Sequence, residues 1–434
     1  MDPRIVVGMG QRPDEEQLSR SLRFVDVYAL AVGSVIGSGI FFMPGKAAAE
    51  MGPAALLAFL IAAALASLLV LCYAEAASRF RSTGGAMTYA QHGLGDVWAF
   101  EVGWATWVAR VASWAALANL FVTSVTALWP SVEGARTACM AALFGVLTAI
   151  NLRGVLLGAR MNTILTAAKL APLLLFIFVG AFHVEVDAFT PFAPQGYAPL
   201  GTATVLVMFA FVGFEGMVIP AAEVRDPRRN VPRALMMGMA TIAFIYIAVW
   251  AVCTGTLPQL ASSENPVGDA AATFMGETGT SVVLVGIMIS VAGINAFTAL
   301  ITPRALYALS RAELLPPWFA RVSANRVPSL AIWVTAITTF ALALSRNFVD
   351  LAVISVLARI AQYIPTCLAV MRLRRMPDAP EAQFRAPFGA AVPTLAIVVC
   401  AWLVLETEPE RVLWGAVALA AGLLIYVPWR MTRR

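Results

Sequence analysis

Apolar runs of helical length recur along the chain from Phe24 to Val427, separated by short polar connections. A helix needs about 20 residues to cross the hydrocarbon core of a bilayer, and on that measure the pattern predicts about twelve spans. They read as 24–50, 54–77, 98–128, 135–150, 161–182, 202–222, 234–257, 280–310, 329–344, 349–371, 390–405 and 412–427. The first run is interrupted. Between Ala31 and Gly45 it carries Gly33, Gly37 and Gly39, then Pro44. Each glycine costs about 1 kcal/mol relative to alanine inside a helix, so this density predicts a break. Free backbone groups at membrane depth are tolerated only where protein buries them or where they line a polar cavity. The stretch is therefore a candidate binding site. Small residues also let helices approach closely, and the segment alone leaves both readings open.

The sixth run has a similar interruption, Gly213-Phe214-Glu215-Gly216 with Pro220. Gly39 to Pro44, with Glu50 and Pro53, answers Gly216 to Pro220, with Glu223 and Pro227. An offset of five spans gives the two halves opposite topology. Paired interrupted segments in corresponding places point to the binding site of an inverted-repeat secondary transporter.

Composition fits this reading: 60% of residues are hydrophobic and 13% charged, and mean hydropathy is +0.79. These values describe an integral membrane protein in contact with a lipid bilayer rather than a soluble domain. The net charge of +5 does not imply nucleic acid, because arginines such as Arg79, Arg153, Arg228, Arg321 and Arg374 crowd alternate connections. The intervening ones carry Glu133, Glu185, Glu264 and Glu406. Short cytoplasmic loops are enriched in Lys and Arg, so both termini are expected in the cytoplasm and the protein in the inner or plasma membrane. The polar leader, with no short apolar core, is expected to be a cytoplasmic segment rather than a signal peptide. The 5 cysteines fall singly in apolar runs and His92 and His183 lie near span ends, so no metal site, cofactor or catalytic constellation is expected.

Several ordered motifs resemble the amino acid–polyamine–organocation permease superfamily. Gly33-Ser34-Val35-Ile36-Gly37-Ser38-Gly39-Ile40-Phe41 is similar to its first-span signature, and Phe209-Ala210-Phe211-Val212-Gly213-Phe214-Glu215 to its sixth-span signature. The run from Ala222 to Arg233 resembles its acidic-basic loop, with further echoes at Tyr73-Ala74-Glu75, Gly84-Gly85-Ala86, Leu314 to Phe319 and Arg385 to Gly389. The resemblance implies an all-α, leucine-transporter-like fold with an inverted 5+5 repeat, broken first and sixth helices and two peripheral helices. The corresponding division is a cytoplasmic segment 1–23, a transport core 24–371 with repeats at about 24–182 and 199–371, a cytoplasmic loop 372–389, peripheral helices 390–427 and a tail 428–434. It further implies an alternating-access amino acid carrier, with an amino acid as its small-molecule substrate.

An amino acid presents a carboxylate and an ammonium group a few ångströms apart, and two broken helices can serve both. The N–H groups of a half-helix N-terminus suit the carboxylate, which assigns Gly37, Ser38 and Gly39. The family motif implies that the carbonyls of Val35, Phe209 and Val212 accept from the ammonium group. Phe209 or Phe211 is available as an aromatic gate, and Phe209 fits the family position better. Thr106, Asn295, Thr298 and Ser355 are candidate side-chain contacts, or else ordinary interhelical hydrogen bonds.

Isolated charges in apolar spans are functional by default. Glu215 suits proton coupling, a link between the broken helices, or a structural role. Lys169 matches the fifth-span lysine that, in proton-coupled members, takes the place of a sodium ion. That implies proton coupling or ion-independent exchange rather than sodium symport; the alternative is a static cation tying helices together. Arg110 and Arg359 each need an acidic partner, carbonyls or water. Arg110 either faces the substrate, which disfavours cationic ligands, or pairs with Glu101 or Glu215. A neutral amino acid is the expected substrate. A cationic amino acid or polyamine exchanger is the alternative, with a passive channel or a membrane-embedded enzyme as readings from other classes. Oligomeric state is not legible.

Overall fold

A computed structural model of the chain describes residues 23–37, 39–80, 85–153, 159–218, 224–324 and 327–431. Residues 1–22, Ser38, Pro220, Glu223 and 432–434, which entered the reading above, lie outside the described residues. The described residues form α-helices and short 3-10 turns, with no β-strand among them. In chain order the helices are α1 (Phe24–Val35), α2 (Gly39–Met51), α3 (Ala55–Arg79), α4 (Ala86–Leu94), α5 (Asp96–Leu128), α6 (Arg136–Leu152) and α7 (Ala159–Gly180). Then follow α8 (Leu200–Phe211), α9 (Pro227–Thr256), α10 (Pro266–Arg311), α11 (Ser329–Ser345), α12 (Phe348–Leu373), α13 (Ala391–Leu405) and α14 (Pro409–Met431). Among the described residues eight helical stretches are long and apolar enough to cross a membrane, and three shorter apolar helices accompany them at Leu200–Gly216, Ser329–Ser345 and Ala391–Leu405. One of the eight, Phe24–Arg79, holds both the first-span break and the turn at Gly52–Ala54.

Burial sorts these helices. Of the apolar windows of α5 and α12, 83% is inside the protein, against 17% for α14. Outward-facing Phe178, Val146 and Leu424 are exposed, as helices that are apolar all round must be when lipid rather than water surrounds them. Inside, small residues allow close approach: Ala55, Ala58, Ala62 and Ala66 form one fully buried stripe of α3. That helix packs on α9, where Trp250 stacks on Phe59 with ring centroids 5.3 Å apart.

Three features depart from the hydropathy pattern. Helix α4 lies between the second and third expected spans, in a stretch that the hydropathy pattern leaves unassigned. It is only nine residues long, and Gly85 and Gly95, at φ +55° and +97°, bracket it. Helix α10 begins at Pro266 rather than near residue 280, bent at Gly276, whose φ of +63° is non-helical. Helix α9 starts at Pro227, where proline suits a first turn.

The two ends of the bundle are tied differently. At one, the fully buried Glu75 of α3 receives Arg374 Nε at 2.8 Å, Arg79 Nη2 at 3.3 Å and the Ala386 N–H at 2.8 Å. Ser78 exchanges hydrogen bonds with Phe384, so the segment between α12 and α13 is strapped to the end of α3. At the other, Lys46 of α2 meets Glu264 at 3.0 Å beside a cavity of about 260 Å³.

Candidate functional site

The first-span signature ends α1 at Val35 and resumes as α2 at Gly39, and the sixth-span signature ends α8 at Phe211. The second break is built around Gly213 at φ +116°, a region that disfavours any residue with a Cβ. The two breaks touch. A Cβ on Gly213 would stand 2.4 Å from the Ser34 carbonyl oxygen, and one on Gly39 would stand 3.0 Å from Ala210 Cα. Glycine at these positions lets two interrupted helices meet backbone to backbone. Gly213→Ala is accordingly expected to cost at least about 1–3 kcal/mol from strain alone and to push the breaks apart. A thermal midpoint of the purified protein equal to that of the unchanged chain would refute this.

Interrupting a helix frees backbone groups, and their destinations define the site. In an unbroken α8 the Gly213 N–H would bond the Phe209 carbonyl; it donates instead to Glu215 Oε2 at 2.9 Å. The carbonyls of Gly33 and Ile36, at the end of α1, accept from Lys169 Nζ at 2.6 and 2.7 Å. Tyr246 of α9 donates towards two more, Val35 at 3.2 Å and Ala210 at 3.0 Å. The first N–H groups of α2, from Gly39 onward, have no helical acceptor and carry the positive end of the helix dipole. Gly37 lies just before them, against Ile294; Ser38 is outside the described residues.

Beside the sixth-span break is a buried charge cluster. Glu215 Oε1 accepts from Arg359 Nε at 2.8 Å, and Oε2 from the Tyr363 hydroxyl at 3.2 Å. Arg359 also donates to Ser113 Oγ at 3.0 Å and to Ser355 Oγ. Arg110 makes no hydrogen bond or close ion pair with Glu101 or Glu215 among the described residues, although its charge acts on Glu215. Arg359 takes Glu215, Arg110 Nε and Nη2 are buried without a hydrogen-bond partner, and Glu101 Oε1 is likewise unpartnered. Glu101 precedes Arg110 by nine residues on α5, about 13 Å along the axis, which is too far for a contact.

The aromatic candidates separate. Phe209 meets Phe348 edge-on, with centroids 5.6 Å apart, and Phe348 lines the 260 Å³ cavity with Phe42 and Lys46. Phe211 is fully buried and packs on Tyr246. Val212 caps the C-terminal end of α8 with extended backbone, at ψ 162°.

Other candidates are committed to the protein. Thr106 Oγ1 bonds the Val102 carbonyl and Gln362 Oε1. Asn295 donates to the Leu117 and Val291 carbonyls, with Oδ1 left buried and unpartnered. Ser355 bonds Ser113 at 2.7 Å and the Ala109 carbonyl at 3.1 Å, and the carbonyl of buried Thr298 accepts from Thr302. His92 and His183 each meet a carbonyl of their own helix, those of Thr88 and Val179.

Sequence reasoning missed Tyr246, Tyr363, Ser113 and Phe348. Only Tyr363 offered a signal, its i+4 spacing from Arg359, which sets both on one face of a helix.

Comparison with known proteins gives this arrangement its context. A family model described as amino acid permease matches residues 22–426. The methylthioribose transporter of Bacillus subtilis (strain 168) is 30% identical over 430 residues, covering 95% of this chain and 93% of its own. The branched-chain amino acid permease BcaP of the same organism is 27% identical over 434 residues, with the same coverage. Cationic amino acid transporter 9, chloroplastic, of Arabidopsis thaliana is 29% identical over 342 residues, covering 71% of this chain and 58% of its own. The chain therefore belongs to the amino acid permease family of the amino acid–polyamine–organocation superfamily, and is an integral membrane transporter rather than an enzyme.

Proposed function

We propose that this transporter is a secondary active amino acid carrier that binds its substrate between the two breaks and works by alternating access. The observation that carries this reading is the meeting of the breaks at Gly213 and Ser34, where the first amides of α2 lack helical acceptors and the Phe209 carbonyl lacks its helical donor, Gly213 N–H. Those are the donors and acceptors that an α-carboxylate and an α-ammonium group require. On this reading Gly37, Ser38 and Gly39 hold the carboxylate, the carbonyls of Val35, Phe209 and Val212 receive the ammonium group, and Phe209 gates the route from the cavity behind Phe348. Thr106, Asn295, Thr298 and Ser355 shape the surrounding wall.

Twelve crossings form two inverted five-helix repeats, 24–182 and 199–371, with α13 and α14 peripheral and both termini cytoplasmic at the plasma membrane. Lys169 bridges two carbonyls at the first break, a role open to a coupling cation, and this supports proton coupling or ion-independent exchange over sodium symport. Glu215 links the sixth-span break to α12 through Arg359. A cationic side chain is disfavoured because two buried guanidinium groups, Arg359 and Arg110, act on the one carboxylate of Glu215.

Uptake into proteoliposomes across a panel of amino acids, with cationic members, polyamines and a methylthio-sugar included, tests the reading with and without an imposed pH gradient. Saturable counterflow of an amino acid that is not cationic is expected. Absence of any amino acid transport in both conditions, or single-channel currents, would overturn it; strongest inhibition by lysine and arginine would transfer the assignment to a cationic exchanger.

A further inference from the structure

We infer that Arg110 docks a second carboxylate, carried on the substrate's side chain, so that the permease accepts acidic amino acids. The inference rests on the binding site proposed above.

Arg110 is only 5% exposed, and its Nε and Nη2 atoms are buried with no hydrogen-bond partner. Its neighbour in charge, Arg359, is in the opposite condition: Glu215, Ser113, Ser355 and the Ala109 carbonyl occupy it. A guanidinium presents donors in a planar fork and cannot shed its charge. Burying such donors without partners is among the costlier arrangements available to a protein; among the described residues none hydrogen-bonds Arg110 Nε or Nη2, and the charge of Glu215, which acts on Arg110, is already taken by Arg359. Glu215 is shared between Arg359, Tyr363 and the Gly213 N–H. The Tyr73 hydroxyl accepts from Gln362 at 2.7 Å. With Arg110 and Arg359 set against Glu215, the cluster keeps one uncompensated positive charge among the described residues.

The location of that charge identifies its counterpart. Arg110 Nη2 lies 3.0 Å from where a Cβ of Gly216 would stand, so the guanidinium rests against the sixth-span break itself. Gly216 bonds back to Gly213, its N–H donating to the Gly213 carbonyl at 2.9 Å, and Gly213 abuts Ser34 of the first break. Arg110 thus borders the space in which the substrate's α-carboxylate and ammonium group are held. A carboxylate matches the guanidinium fork with two parallel hydrogen bonds. The first-span amides already serve the α-carboxylate, which leaves the side-chain carboxylate of an aspartate- or glutamate-like substrate for Arg110. The same charge repels lysine and arginine.

The test uses the full-length protein in proteoliposomes, with counterflow of labelled L-glutamate, L-glutamine, L-leucine and L-arginine. Unchanged protein is expected to carry glutamate in preference to glutamine. Arg110→Gln should lower the glutamate-to-glutamine ratio at least tenfold, and Arg110→Lys, which keeps the charge but not the fork, should fall between. The Lys variant also carries the test if Arg110→Gln does not fold. Transport of leucine or glutamine without glutamate transport or inhibition overturns the inference while leaving the permease reading intact. So does a ratio unaltered in both variants. Leucine uptake that needs chloride over gluconate, a requirement lost in Arg110→Gln, would assign the charge to a bound inorganic anion and overturn it as well. If none of the four amino acids moves, the permease reading fails and the inference with it.

Discussion

Lys169→Ala is expected to reduce uptake at least a hundredfold while the protein still folds and purifies as a monodisperse species. The lysine is 6% exposed, and its ammonium group is the donor that the Gly33 and Ile36 carbonyls find at the point where α1 stops. Removing it leaves two buried acceptors, at about 1–3 kcal/mol each if nothing replaces the donor. The expense falls on the local geometry of the break rather than on the fold, because α7 is otherwise packed through apolar side chains such as Leu173 and Phe176. Lys169→Met, which keeps the length of the side chain but not the donor, should behave like the alanine variant. On the proposed coupling role both variants also lose the response to an imposed pH gradient. Near-normal, gradient-driven uptake by Lys169→Ala would remove Lys169 from the coupling machinery and leave it a structural tie.

The elements that were legible in the sequence share a physical origin: they are rare events in an apolar background. Glycines clustered at 33 to 39 and 213 to 216, and single charges at Lys169, Glu215, Arg110 and Arg359, stand out because lipid makes each of them expensive. The partners of those groups did not stand out. Tyr246 supplies a hydroxyl to both breaks, yet a tyrosine in an apolar helix has no pattern that separates this role from packing. Which arginine takes Glu215 depends on the register of α5 against α12, a tertiary relation that hydropathy does not encode. Helix α4 was hidden for a third reason, since nine residues between two positive-φ glycines are too short for either a span or a clear amphipathic period.

Glu215→Gln is expected to be the most destabilising single change at the site. Glutamine keeps the length and an oxygen acceptor for the Gly213 N–H and the Tyr363 hydroxyl, so the sixth-span break retains most of its hydrogen bonds. The charge is lost, and the buried Arg359 and Arg110, 4% and 5% exposed, lose the anion that acts on both of them. Breaking a buried ion pair from one side typically costs roughly 3–5 kcal/mol, because the remaining charge is stranded. A second guanidinium nearby places this case towards the upper end. A further mutation should reverse the sign: adding Arg359→Gln to Glu215→Gln should recover part of the lost stability, although two groups have then been replaced instead of one. Thermal midpoints of the detergent-purified single and double variants measure this directly. A Glu215→Gln protein as stable as the unchanged chain, or a double variant less stable than Glu215→Gln alone, would show that the cluster is neutralised by something other than Glu215.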